Sequence, residues 1–389
     1  MRAVYACGTG MTVFGRHPGR SLRDLGREAC AAAVRDAGIH PRAIEAVYCG
    51  NALGSALQGE SGIGQSVAWE IGVRSVPVFN VENACASGST ALHQAWRDIA
   101  AGFHDVALVV GVEKAVMPRG SVLNVGLGEL EAQLGDVFPG MFAMVAQQHM
   151  QRYGTTREQM AAVSVKNHFN GSLNPWAQFQ KQLTIEEVLS SPMIADPVTL
   201  YSCCPNSDGA AALVLCAADR LNGERARAIR VAASSLTSGS YDPNRDFTFW
   251  DSEARAARSA YEQSGLGPGD LDVVEVHDAF TISEIVHCET LGLCAPGEGG
   301  PLVESGATAI GGRIPVNPSG GLQARGHPPG ASGVAQVVEI VTQLRGEAGA
   351  RQVRHARIGL AQIMGGSKDG DARACTVHVL VRDQRASAR

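Results

Sequence analysis

Cys85 is the residue best placed to act as a nucleophile. It lies in N-A-C-A-S-G-S, after the strand-like run VPVFNVEN and before a helix that begins near Ser87. A thiol at a helix N-terminus meets unsatisfied N–H groups and the positive end of the helix dipole, which favour thiolate. Ala86, Ser87 and Gly88 leave room for a substrate carbonyl, and the Cys85 backbone N–H can donate to an oxyanion. A buried cysteine in a tight turn would carry the same local sequence, so its partners decide. The first is His327, in G-H-P-P-G-A-S-G, where Gly326 and Pro328 hold the imidazole in a non-helical turn. An imidazole held this way can deprotonate a thiol and then donate to a developing oxyanion. His277, in V-H-D-A-F, ends the strand LDVVEV, where open α/β sheets place functional loops. It is a candidate oxyanion donor or proton shuttle, and Asp278 reads as the cap of the helix TISEIVHCETLGL. Gly365 and Gly366, in M-G-G-S after the buried strand ARIGLAQI, allow close backbone approach and offer N–H donors to an oxyanion.

The elements that must position these residues follow one pattern used twice. Residues 24 to 39, DLGREACAAAVRDAGI, place apolar groups at helical spacing, stop at Gly38 and lead into the strand-like AIEAVYCGNAL. Residues 253 to 266, EARAARSAYEQSGL, repeat the arrangement before another apolar strand. Downstream, the Cys85 segment reads as strand end, small-residue turn, helix and buried strand, and residues 314 to 364 give the same order around His327. The period is too long for a solenoid and predicts two similar α/β halves about a pseudo-twofold axis, with the Cys85 and His327 loops facing each other. About a hundred residues between the strands at 105 to 112 and 210 to 217 fit the repeat poorly. They contain helices around Phe142 to Tyr153 and Arg157 to Phe169 and an Asn-Pro-Trp turn at 174 to 176, and read as an inserted lid or ligand wall. The domain reading is 1–118 for the first part of the N-terminal half, 119–200 for the insert, 201–225 for its completion and 226–389 for the C-terminal half.

Composition sets the class. With 389 residues, 45% hydrophobic, 18% charged and 5% aromatic, the chain is a globular enzyme type whose core rests on Ala, Val, Leu and Ile. Thirty-three basic against 38 acidic residues give a net charge of -5, which argues against nucleic acid or an anionic membrane as partner. Only Lys114, Lys166, Lys181 and Lys368 are lysines, so a phosphorylated ligand would depend on arginine and backbone N–H groups. The ten cysteines form no C-x-x-C pair, which indicates neither a metal site nor a disulfide framework; Cys216, in AALVLCAA, reads as a small buried hydrophobe. No leader and no run of about 18 apolar residues is seen, and the expected location is cytoplasmic.

Together, N-A-C-A-S-G-S, H-D-A-F, N-P-S-G-G-x-x-x-x-G-H-P-x-G-A-S-G and the glycine pair resemble the thiolases, particularly the branch related to sterol carrier protein thiolases. The resemblance covers nearly the whole chain. It implies a five-layered α/β/α/β/α fold of two similar halves with an inserted loop domain, and a homodimeric core. It implies coenzyme A as co-substrate, with no permanently bound cofactor, in cleavage of a 3-oxoacyl-CoA or the reverse condensation. Residue by residue, Cys85 matches the acylated cysteine and His327 the histidine that activates it. His277 matches the histidine that binds the thioester oxygen with His327, while the N–H groups of Cys85 and Gly366 form the second oxyanion hole. The departure is the cysteine that exchanges the α-proton. Its usual C-x-G position holds Met364, and the position used by some branch members after His-Asp holds Ala279. Cys375 lies beyond an apparent loop insertion, SKDGDARA, where packing is expected, so α-proton transfer falls to His277. Two other functions stay open: retro-aldol cleavage of a 3-hydroxyacyl-CoA, and a non-catalytic acyl-CoA-binding scaffold. A small zinc-ribbon and oligonucleotide-fold partner subunit is a further expectation. The missing cysteine and the Phe- and Met-bearing insert point to a bulky, branched or aromatic acyl group of the benzoylsuccinyl-CoA type.

Overall fold

The computed structural model describes residues 2–117, 130–221, 227–242, 246–368 and 371–383. The first half runs β1 (Val4–Met11), α1 (Leu22–Asp36), β2 (Ala46–Gly50), α2 (Ile63–Glu70), β3 (Val78–Val81), α3 (Ser87–Ala101) and β4 (Val106–Lys114). An excursion follows, with α4 (Leu130–Gln133), α5 (Phe138–Tyr153), α6 (Arg157–Ser172), α7 (Ile185–Leu189) and the short β5 (Met193–Ala195) and β6 (Val198–Thr199). The chain returns as β7 (Asp208–Ala217). The second half is β8 (Ile229–Thr237), α8 (Asp251–Ser264), β9 (Val273–Glu275), α9 (Thr281–Thr290), α10 (Gly299–Glu304), α11 (Pro329–Arg345), β10 (Ile358–Lys368) and β11 (Asp371–Val381).

Strand order makes the duplication explicit. The large sheet runs β3-β2-β4-β7-β1-β8-β11-β10-β9, and the single bridge of Val316 to Val274 extends its far end. Outward from the β1–β8 junction, both arms give two antiparallel pairings followed by two parallel ones. The two arms fold over one another because their faces alternate in what they bury. Ala107 and Val109 of β4 pack with α3 and α11, whereas Leu108 and Val110 pack with α1 and α2. In the second arm Ala361 joins the α3–α11 layer, and Leu360 faces α8 and α9. This gives α1–α2, sheet, α3–α11, sheet and α8–α9: the five layers that the resemblance implies. The layer between the sheets is dry, since α11 is buried from Pro329 to Leu344. Each apolar side chain it buries contributes ~1.5–3 kcal/mol relative to exposure.

Local sequence explains the starts and stops. Ser21 caps α1 with Asp24 in a reciprocal box, and Thr156 does the same for α6 with Gln159. The excursion stands where the second half has only the tight β10–β11 connection, with Lys368 paired to Asp371. That pairing corrects one expectation: SKDGDARA is mostly strand, not an inserted loop, because its alternating residues continue the ladder. A second correction concerns Cys216, which is buried but disulfide-bonded to Cys7 across 209 residues of sequence. In the β1–β7 ladder Cys216 stands opposite Tyr5, and Cys7 is the residue passed over by the register shift between Ala6 and Gly8. Among the described residues no helix is long and apolar enough to cross a membrane.

Candidate active site

Cys85 and His327 occupy the same place in the two halves, each one residue before a helix cap: Ala86 for α3 and Pro328 for α11. Glycine lets these helix starts meet. A Cβ on Gly88 would lie 2.4 Å from the Gly330 carbonyl oxygen, and one on Gly111 would lie 2.3 Å from that same atom. The consequence is a distance of 3.2 Å between His327 Nε2 and Cys85 Sγ. On the other ring edge, His327 Nδ1 is 2.8 Å from Ser332 Oγ, whose own hydroxyl donates to the Pro328 carbonyl at 3.0 Å. With that hydroxyl proton so committed, Nδ1–H is the donor, and the Nε2 lone pair is left for the thiol. The His327 backbone N–H donates to Ser207 Oγ at 2.9 Å.

His277 follows β9 and completes the group. Its ligand-type nitrogen, that of His327 and Cys85 Sγ all lie within 4.8 Å of one another. Its backbone N–H donates to Gln362 Oε1, and its carbonyl accepts from His287 Nε2 at 3.0 Å. His287 Nδ1 lies 2.8 Å from Glu253, a carboxyl that burial holds well above the usual range and so protonated. His277 Nε2 is buried and has no hydrogen-bond partner among the described residues. Asp278 does not cap α9, as the sequence suggested. It accepts from the Leu322 and Gln323 backbone N–H groups and from Asn167, because the chain beyond Asn317 returns beneath it. Lys166 and Asn167 of α6 both reach Glu284, and Asn317 joins them, so the excursion is tied to the segments that carry both histidines.

Gly366 adopts φ 62 and shares the walls of both cavities with Cys85, where its N–H lowers the thiol. Gly365 is the closer constraint, since a Cβ there would lie 2.0 Å from the Asn83 carbonyl oxygen. The thiolate expected from the helix N-terminus is not the resting form. Burial pushes Cys85 up to about 12, the Gly366 N–H pulls the other way, and the nearby Glu113 carboxylate raises it further. A helix dipole supplies ~0.3–2 kcal/mol, less than the several kcal/mol that an unpaired buried charge costs. Burial also lowers His327 well below its ordinary range, with His277 and Arg325 adding to the effect. His277 is brought down to about 3 by burial and then by His287. The resting pair is therefore neutral, S–H facing N.

Two cavities meet at this sulfur. One, of about 260 Å³, is walled by Phe138, Met141, Phe142, Trp250, Phe280 and Met364, with the Phe142 and Phe280 rings stacked at 4.5 Å. The other, of about 270 Å³, shares Cys85, Phe138 and Gly366 and is polar at Glu82, Asn83 and Arg373. The excursion thus forms part of the ligand wall. Sequence reasoning missed Cys203 and Cys204, which line the apolar cavity, and Glu113, which clamps the floor. Glu113 accepts from the Ala52, Leu53 and Gly330 backbone N–H groups. The adjacent cysteines before a buried strand were the available signal.

Fold and site define a duplicated α/β enzyme in which one half supplies a thiol and the other an imidazole 3.2 Å from it. Residues 4–219 match the family model "Thiolase, N-terminal domain", and residues 233–377 match "Thiolase C-terminal domain-like". The chain is 46% identical over 372 residues to the acetyl-CoA acetyltransferase of Methanothermobacter thermautotrophicus, covering 94% of this chain and 97% of that one. It is 39% identical over 373 residues to the benzoylsuccinyl-CoA thiolase subunit BbsB of Thauera aromatica, covering 94% and 95%. Among solved structures, the Ltp2-ChsH2(DUF35) aldolase superposes with a TM-score of 0.83 at 27% identity, covering 98% of both chains. The chain belongs to the thiolase family and is an acyltransferase.

Proposed function

We propose that this chain cleaves a 3-oxoacyl-CoA by thiolysis through an acyl-Cys85 intermediate, with coenzyme A as co-substrate. The observation that carries this reading is Cys85 Sγ at 3.2 Å from His327 Nε2, with Gly366 beside the same sulfur on the cavity wall. His327 takes the thiol proton as sulfur attacks the 3-oxo carbon. The Cys85 and Gly366 N–H groups receive the oxyanion, and the C2–C3 bond breaks. His277 and the protonated His327 hold the enolate oxygen of the leaving acyl-CoA. Coenzyme A sulfur then releases the acyl group from Cys85. The aromatic and methionine lining of the apolar cavity favours a bulky, branched or aromatic acyl group of the benzoylsuccinyl-CoA type. The exposed edge strand β3, with Phe79 at its surface, supports a homodimeric core, and the solved Ltp2-ChsH2(DUF35) aldolase supports a partner subunit of DUF35 type, in keeping with the small zinc-ribbon and oligonucleotide-fold partner expected from the resemblance.

Incubation with a 3-oxoacyl-CoA should add one acyl mass to wild-type protein and none to Cys85→Ala. Unmodified wild-type protein across a panel of acyl chains would end the proposal. The likeness to an aldolase keeps a second reading, retro-aldol cleavage of a 3-hydroxyacyl-CoA. That reaction needs no acyl-enzyme, so aldehyde or ketone release that survives in Cys85→Ala would select it.

A further inference from the structure

We propose that Cys204 is the acid–base catalyst that moves the α-proton, the role for which neither Met364 nor Ala279 carries a thiol. The proposal rests on the thiolase reading above. The thiol lines the apolar cavity together with Cys85, His277 and His327. Its segment is clamped to both histidine-bearing stretches. The Cys204 backbone N–H donates to the Ala279 carbonyl at 2.9 Å, and Cys203 bridges Phe280. Two residues on, Asn206 bridges His327, and Ser207 Oγ accepts the His327 N–H. Cys204 is thus fixed between the ends of the two segments that supply the imidazoles.

The neighbouring groups leave this role open. Cys203 Sγ donates to the Thr199 carbonyl at 3.4 Å, and Cys375 Sγ lies deep in the core, receiving Gln362 Nε2 at 3.8 Å. His277, the earlier expectation, presents a buried, unpartnered Nε2 to the cavity. As a neutral imidazole donating its N–H to the thioester oxygen, it cannot also take the adjacent carbon's proton. Burial raises the Cys204 thiol well above its ordinary range, and Cys203, Asp278 and Cys85 add to the effect, so Cys204 rests as the S–H that the cleavage direction requires.

The cleavage cycle balances with this assignment. Cys204 S–H gives its proton to C2 as the C2–C3 bond breaks, which leaves a Cys204 thiolate and the free acyl-CoA. Coenzyme A loses its thiol proton to solvent and attacks acyl-Cys85 as thiolate, and the Cys204 thiolate takes a proton back from solvent. Cys85 departs as thiolate and recovers its proton from His327. In reverse, the Cys204 thiolate removes the α-proton and the resulting carbanion attacks acyl-Cys85.

The test uses acetyl-CoA as the probe in D₂O with the full-length protein, and any partner subunit that co-purifies. Two readouts are followed: deuterium entering the acetyl methyl, and acetyl-Cys85 by intact mass. Cys204→Ala and Cys204→Ser should both lose 10²–10⁴-fold in exchange rate, the usual worth of a general acid–base group, while acetyl-Cys85 forms within about threefold of wild type. Exchange that persists in either folded variant overturns the proposal. Loss of acetylation and exchange together also overturns it, because Cys204 would then be structural. Wild-type protein that forms no acetyl-Cys85 removes the thiolase reading for this probe, and this proposal with it. Serine retains the shape of the site and decides the matter if alanine does not fold.

Discussion

At the scale of residues, reactivity is set by burial more than by local motif. The thiol of Cys85 is neutral at rest, pushed to about 12, and faces a neutral His327. Its alkylation rate with iodoacetamide should therefore climb with pH through 9. A plateau between pH 5 and 8, the signature of a thiolate–imidazolium pair, would contradict this. Ser332→Ala removes the acceptor that holds His327 Nδ1–H, which costs about 1 kcal/mol of orientation. Acylation of Cys85 should slow roughly fivefold or more, with little change in melting temperature. Cys85 and His327 were legible because small residues around a thiol and prolines around an imidazole write their own backbone conformation. The neutral resting state was not, since desolvation depends on walls contributed from Phe138 to Met364. Asp278 was misread for the same reason: its true donors, Leu322 and Gln323, lie more than forty residues away, while the apparent helix start lies next to it.

At the scale of elements, the Cys85–His327 pair is a product of helix packing. Gly88 on α3 and Gly111 on β4 both leave space for the Gly330 carbonyl. Gly88→Ala should cost ~1–3 kcal/mol by overpacking, read as a lower urea midpoint. It should also slow acylation at Cys85 well beyond what that fraction unfolded explains. Normal acylation in a destabilised variant would show that the helix starts do not set the distance. The helices and strands were legible from periodicity, and the duplication from the order of the two passes. The position of the excursion's Lys166 and Asn167 beneath the histidines was not, because a buried polar network leaves no periodic trace. The Cys7–Cys216 bond was hidden likewise, as each cysteine stands alone in an apolar strand.

At the scale of the whole molecule, buried titratable groups of both signs oppose each other. Burial lowers His93, His168, His277, His287, His327 and His378, so the unfolded chain alone takes up their protons as pH falls below about 6.5, and stability is lost. Burial raises Glu113, Glu253, Glu275 and Asp278, which the fold keeps protonated above the unfolded range, so stability is gained as pH falls toward about 4.5. The slopes, ~1.4 kcal/mol per pH unit for each group, offset one another only in part down to about 4.5, below which the histidine loss continues and protonation of Asp36 and Asp246, both held below the usual carboxylate range in the fold, adds to it. Melting temperature should fall modestly from pH 6.5 to 5 and steeply below 4.5, and a steady rise toward pH 3.5 would refute this balance. The two α3 and α11 starts carry a different consequence. Their separation is a dimension of the dry middle layer, so no loop motion short of unfolding that layer can part Cys85 from His327. Amide hydrogens in the first turns of both helices should accordingly exchange with solvent only at the rate of global unfolding.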